Sequence, residues 1–131
     1  MGKRVASLIH LDTHVVAWLY EPRTDLLSRR AHAQIESGAL HVSPAVLLAL
    51  EFLRELGRLS VGSNRIFASL HRQLALQLCS IPFGRVVEAA LALDWTRDPF
   101  DRLIAAQAAA AGAKLVTRDR TIRKHFPASA W

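Results

Sequence analysis

Short apolar runs alternate along this chain with longer stretches in which apolar positions recur every three or four residues. Val5–Leu11 reads as a strand and Thr13–Leu19 as a short helix ended by Glu21-Pro22. Leu26–Glu36 reads as a polar-faced helix closed by Ser37-Gly38, and Leu40–Val42 as a second short strand. Ser43-Pro44 supplies an N-cap and a proline at the first helical position, which opens a helix to about Leu56, before Gly57. Ser63 or Asn64 caps a further helix to about Leu76; Ser80–Phe83 is expected as a strand and Val86–Leu93 as a helix. Asp98-Pro99 repeats the start signal for a helix Phe100–Ala111, stopped by Gly112. Lys114–Thr117 is a strand and Thr121–His125 a last helical turn. Strands alternating with helices predict an α/β fold, with a mostly parallel sheet covered on both faces. The small residues of "AAQAAAAGA" (105–113) let their helix lie close to that sheet.

Carboxylates stand where two of these apolar runs stop. "SLIHLD" ends in Asp12 and "KLVTRD" in Asp119. A charge beside a core is costly unless it is paired or binds something. In an open parallel sheet ligands bind in the crevice at the carboxyl ends of the strands, so adjacent strands would bring Asp12 and Asp119 together. Glu51 lies among Leu47, Leu48, Leu50, Phe52 and Leu53 on the helix opened by Ser43-Pro44, and either faces a partner or pairs with Arg54. In "RDPFDRLIAAQA" Asp98 is the natural N-cap, and Asp101 falls in the first turn beside Phe100, Leu103 and Ile104. Several carboxylates in one crevice need a counter-charge. A hard divalent cation, Mg²⁺ or Mn²⁺, supplies it, and such a site can activate water against a phosphodiester.

Charge and composition narrow the choice. The 131 residues point to a single domain spanning 1–131, and the 51% hydrophobic content suits an ordinary globular core. Lys and Arg number 17 against 11 Asp and Glu, a net charge of +6, which favours a polyanionic partner such as RNA. Setting aside Asp12, Glu51, Asp101 and Asp119 leaves 11 − 4 = 7 acids against the 17 cations, a balance suited to gripping a phosphate backbone. Arg118, Arg120 and Arg123, with Lys124, cluster around Asp119 as candidates for that grip. One cysteine, Cys79, excludes an intrachain disulfide and a multi-cysteine zinc site. No apolar run has the length of a membrane span and the start does not read as a signal peptide, so a cytoplasmic location is expected. "HLDTH" has a zinc-like spacing, but His10 falls in a strand and His14 in a helix. A phosphatase motif would need a second acid at position 14, which is His14.

"LDTHVVAWL", "VSPAVLLALEFLRELGRL" and "DWTRDPFDRLIAAQAAAAGAKLVTRDRTI" together resemble, in order and almost end to end, the PIN-domain ribonucleases, specifically the VapC-type toxins of bacterial toxin–antitoxin pairs. The resemblance implies a three-layer α/β/α sandwich. It also implies catalytic and metal-binding carboxylates at Asp12, Glu51, Asp101 and Asp119, and a supporting hydroxyl at Thr117. Asp98 matches a family position that capping also explains. The expected activity is Mg²⁺- or Mn²⁺-dependent cleavage of RNA. The expected partners are an antitoxin protein and a second copy of the chain. Ile66, Phe67, Leu70 and Leu74, on one face of their helix, are the expected surface for both. The alternative is a catalytically silent, PIN-like nucleic-acid-binding module, which loss of one of the four acids would favour. A phospho-receiver domain would need paired acids after the first strand, and Asp12 stands alone there.

Overall fold

The computed structural model describes residues 6–131. Five strands form one sheet: β1 (Leu8–Leu11), β2 (Ala39–Val42), β3 (Gln77–Leu78), β4 (Lys114–Val116) and β5 (Ser129–Ala130), in the order β3-β2-β1-β4-β5. Every adjacent pair is parallel, so helical crossovers must return the chain to the same end each time. The helices are α1 (Thr13–Tyr20), α2 (Arg29–Ser37), α3 (Pro44–Glu55), α4 (Ser63–Leu74), α5 (Phe83–Leu91), α6 (Pro99–Ala111) and α7 (Arg120–His125). The chain passes outward from β1 to β2 and β3, then returns to place β4 on the other side of β1. The order therefore reverses between β1 and β4, and a crevice opens at their carboxyl ends.

The start signals work as the sequence indicates. Ser43 Oγ accepts from Ala45 N ahead of Pro44, and Asp98 Oδ1 accepts from Phe100 N and Asp101 N. Ala105, Ala106 and Ala108 of α6 are buried, and Ala106 packs with Val86 and Ala90 of α5. Gln107 within that stretch is buried too, satisfied by a 2.6 Å hydrogen bond from Ser43 Oγ. Ile9, Leu11, Val42, Leu115 and Val116 fill the centre of the core.

Three expectations need correction, and one strand was not expected. The strand expected at Ser80–Phe83 lies earlier, at Gln77–Leu78; Pro82 is the N-cap of α5, which begins at Phe83. Helix α4 ends at Leu74, because Ala75 turns into the left-handed region (φ 56°) and sends Leu76 into the core. Of its expected apolar surface, Ile66 and Leu70 are buried and Phe67 packs against the core, which leaves Leu74 exposed. Strand β5 carries no periodic signal in "PASAW" and exists because β4 offers it an edge. The expected start of the first strand at Val5 lies outside the described residues.

Candidate functional site

Asp12 is both the end of β1 and the N-cap of α1. Its Oδ1 accepts from Thr13 N at 2.8 Å and its Oδ2 from Thr117 Oγ1 at 2.6 Å. Thr117, fully buried, also accepts from Asp119 N at 3.0 Å through the same hydroxyl. One threonine thus ties together the two strand ends at the switch point. Asp119 in turn caps α7, accepting from Ile122 N at 2.9 Å. Asp98 caps α6, and Asp101 stands in that helix's first turn with its carboxylate accepting no hydrogen bond among the described residues.

These four acids line one cleft of about 680 Å³ with His14, Trp18, Ala49, Phe52, Phe100 and Arg118 among its other walls. Their convergence has an electrostatic signature. Burial, then the charges of Asp98, Asp12 and Asp119, push the Asp101 carboxyl up to about 7. Burial also raises Asp12, against the opposing pull of its bonds from Thr117 and Thr13. No salt bridge answers any of the four among the described residues. Arg118 is the cation on the rim, its guanidinium 6.0 Å from the Trp18 ring centroid.

Glu51 is the sequence-predicted acid that the structure does not bring to the cleft. It turns towards the start of α4, where it pairs with Arg54 and accepts from Ser63 N at 3.0 Å. The N-cap of α4 is Gly62, which has no side chain to offer, and Glu51 supplies the missing acceptor. The Arg54 and Ser63 hydrogen bonds, in that order, hold its carboxyl below the usual range. The residue by which α3 meets the acids is Ala49, with Phe52, Leu53 and Leu56 along the same wall.

Among the described residues no three His, Cys, Asp or Glu side chains already close round one point as an assembled metal site. The donor set of the cleft is nevertheless all carboxylate oxygen, concentrated and without a paired cation, which suits a hard divalent ion. Asp101 has both oxygens free, Asp119 keeps its Oδ2 free of the capping bond, and Asp12, which accepts one bond at each oxygen, keeps a further lone pair on each for it. Asp98 has one oxygen committed to capping. Cys79 does not line this cleft, and His10 is buried in β1 while His14 is exposed on α1, so no sulfur or imidazole cluster competes there among the described residues. The wall residue that the sequence did not single out is Trp18. It lies one turn from His14 on α1, with ring centroids 6.0 Å apart. Arg120 and Arg123 do not line the cleft; they line a separate groove with Arg30, Lys124, Ser129 and Trp131.

The comparisons agree with this architecture. The PIN domain family model matches residues 9–125. Ribonuclease VapC22 of Mycobacterium tuberculosis is 32% identical over 95% of this chain and 99% of its own length. A structure of VapBC2 from Rickettsia felis bound to a promoter DNA fragment aligns with a TM-score of 0.63 at 18% identity, covering 93% of this chain and 95% of the other. VapBC-1 from nontypeable Haemophilus influenzae aligns with a TM-score of 0.54 at 15% identity, covering 92% and 91%. With a carboxylate cleft at the switch point of a parallel sheet and a family match across most of its length, the chain belongs to the PIN-domain family and is a homologue of the VapC ribonucleases.

Proposed function

We propose that this chain is a divalent-metal-dependent endoribonuclease acting as the toxin of a toxin–antitoxin pair in the cytoplasm. The observation that carries the reading is the convergence of Asp12, Asp98, Asp101 and Asp119 on one cleft with no paired cation. Asp12, Asp101 and Asp119 are the residues that would hold Mg²⁺ or Mn²⁺, which when bound lowers the pKa of water and offsets charge on a phosphodiester. Thr117 keeps the Asp12 carboxylate aimed by donating to it, and so acts as a positioning residue. The apolar walls Phe52, Leu53 and Phe100 restrict water around the acids and strengthen every charge interaction there. Arg118 stands on the rim, where an incoming phosphate would meet it. Glu51 has no part in this site.

The test is RNA cleavage by the purified chain in Mg²⁺ or Mn²⁺ and in excess EDTA, alongside Asp12→Asn. Cleavage only with metal, and lost in Asp12→Asn, supports the reading; equal cleavage in EDTA overturns it. A second reading, an RNA-binding module without catalysis, is favoured by one observation: α3 presents Ala49, not an acid, to the cleft. RNA binding with no cleavage in either metal would establish it.

Partners follow the same reading. Leu48, Phe52 and Leu56 are exposed at one-turn spacing along α3 beside the cleft, a track that accepts the apolar face of an antitoxin helix. A second copy of the chain is the other expected partner, on a surface other than the buried face of α4.

A further inference from the structure

Beside the acid cleft lies a groove of about 410 Å³ of the opposite sign. Arg30 from α2 and Arg120, Arg123 and Lys124 from α7 line it, with Ser129 and Trp131 between them. All four cations are exposed, and none forms a salt bridge among the described residues. Two separate elements are needed to build it: α2 packs on β5, which places Arg30 next to Trp131, and α7 comes from the turn after β4. Like charges gathered without a counter-charge raise the local potential and favour a polyanion.

The groove is joined to the cleft by aromatic rings. Trp131 lies 6.1 Å from Trp18, and Trp18 lines the acid cleft under Arg118. Both indoles are only partly buried, so each leaves some ring surface open. The order across the surface is acid cleft, Arg118 over Trp18, Trp131, then four cations. Cations spaced along a track hold a phosphate backbone, and aromatic faces beside it accept unpaired bases. A duplex hides its base faces in its own stack, so rings at this place favour a single strand.

We propose that the Arg30–Arg120–Arg123–Lys124 groove is a single-strand binding track, which holds the phosphates of RNA on one side of the scissile bond while a base stacks on Trp131. The proposal rests on the ribonuclease reading for its direction, because it makes the track lead into the carboxylate cleft. Phosphates and ring faces are all that the track senses, so single-stranded DNA of the same length binds it too.

The test measures binding of a labelled single-stranded oligoribonucleotide by anisotropy as a function of salt, in an Asp12→Asn background so that the probe stays intact. Arg30→Ala with Lys124→Ala is expected to flatten the log–log salt slope by about 1.4, at about 0.7 for each single-strand phosphate contact. Arg72→Ala with Arg85→Ala removes the same charge from α4 and α5, outside the groove, and is expected to leave the slope near that of the parent. Trp131→Ala is expected to weaken binding roughly 5- to 100-fold with little change in slope, and Trp131→Phe to restore most of the loss. Equal flattening by the two double variants overturns the groove in favour of a diffuse field. Full affinity in Trp131→Ala, or equal competition by a blunt duplex, overturns the stacking. If the wild type cuts RNA with metal while the groove variants bind normally, this inference fails and the nuclease reading stands. If the groove variants behave as expected while the wild type cuts nothing, the nuclease reading fails and the track stands.

Discussion

Asp12 and Glu51 look alike in the sequence, each a carboxylate against apolar neighbours, yet the structure gives them different work. Asp12 is held by Thr13 and Thr117 beside three other acids, whereas Glu51 caps α4 and pairs with Arg54. Asp12→Asn is therefore expected to abolish metal-dependent cleavage with little loss of stability. Glu51→Ala, which removes the acceptor from the start of α4, is expected to leave the metal dependence intact and to lower the denaturation midpoint. Chemical denaturation and the cleavage assay on the two variants separate these outcomes. Because Ala49 faces the acids from α3, Ala49→Glu adds a carboxylate to the cleft. Its expected effect is tighter Mn²⁺ binding, read by calorimetry. His10 is buried in β1 against His41, both ring nitrogens are without a partner among the described residues, and burial followed by His41 lowers its pKa to about 4. The folded chain therefore refuses a proton that the unfolded chain accepts below 6.5. Its contribution to stability is complete above that pH and lost as pH falls towards 4, by up to about 3 kcal/mol. His10→Phe is expected to gain on the wild type in urea denaturation at pH 5 but not at pH 7.

Elements here are set as much by close approach as by propensity. Gly38 joins α2 to β2, and a Cβ there would meet the Ile9 side chain of β1 well inside contact distance and the Gln34 carbonyl oxygen at 2.8 Å. Ile9 is fully buried and cannot move aside. Gly38→Ala is expected to destabilise the chain by about 1–3 kcal/mol, the range of core overpacking, read as a lowered denaturation midpoint with an unchanged slope. Gly57, with a φ of +77° and open space where a Cβ would stand, would instead show only the strain of its backbone. Helix α6 shows how starts can be legible while roles are not: Asp98-Pro99 announces the helix, but only the packing of α6 beside β1 brings Asp101 to the cleft.

At the scale of the whole molecule, charge is separated. Four acids gather at the carboxyl ends of β1 and β4, and four cations gather around Trp131 at the neighbouring β5 edge of the sheet. A cation bound at the acids removes their repulsion in the folded state, and the unfolded chain has no such site. Millimolar Mn²⁺ is therefore expected to raise the Tm of the wild type, and EDTA to reverse the rise, with the effect absent in Asp12→Asn. A Tm indifferent to metal in the wild type would remove the cleft as a metal site.

The amino-acid sequence by itself determined the strand ends and helix starts that carry a local signal. An apolar run ends on Asp12 or Asp119, Ser43-Pro44 and Asp98-Pro99 open helices, and Gly112 closes one. The alternation of strands and helices likewise determined a parallel α/β sheet with acids at strand ends. Only the tertiary structure decided which side of α3 meets those acids. Leu47, Leu48, Leu50, Phe52 and Leu53 surround that helix with apolar residues, so no stripe reveals its rotation. Ala49 and Glu51 are two residues apart, about 200° around the axis, and packing against α1, α4 and α6 put Ala49 at the cleft and Glu51 at the start of α4. The same holds for the basic groove. Arg30 and Trp131 lie 131 − 30 = 101 positions apart along the chain, and no local spacing could join them until β5 took its place beside β4.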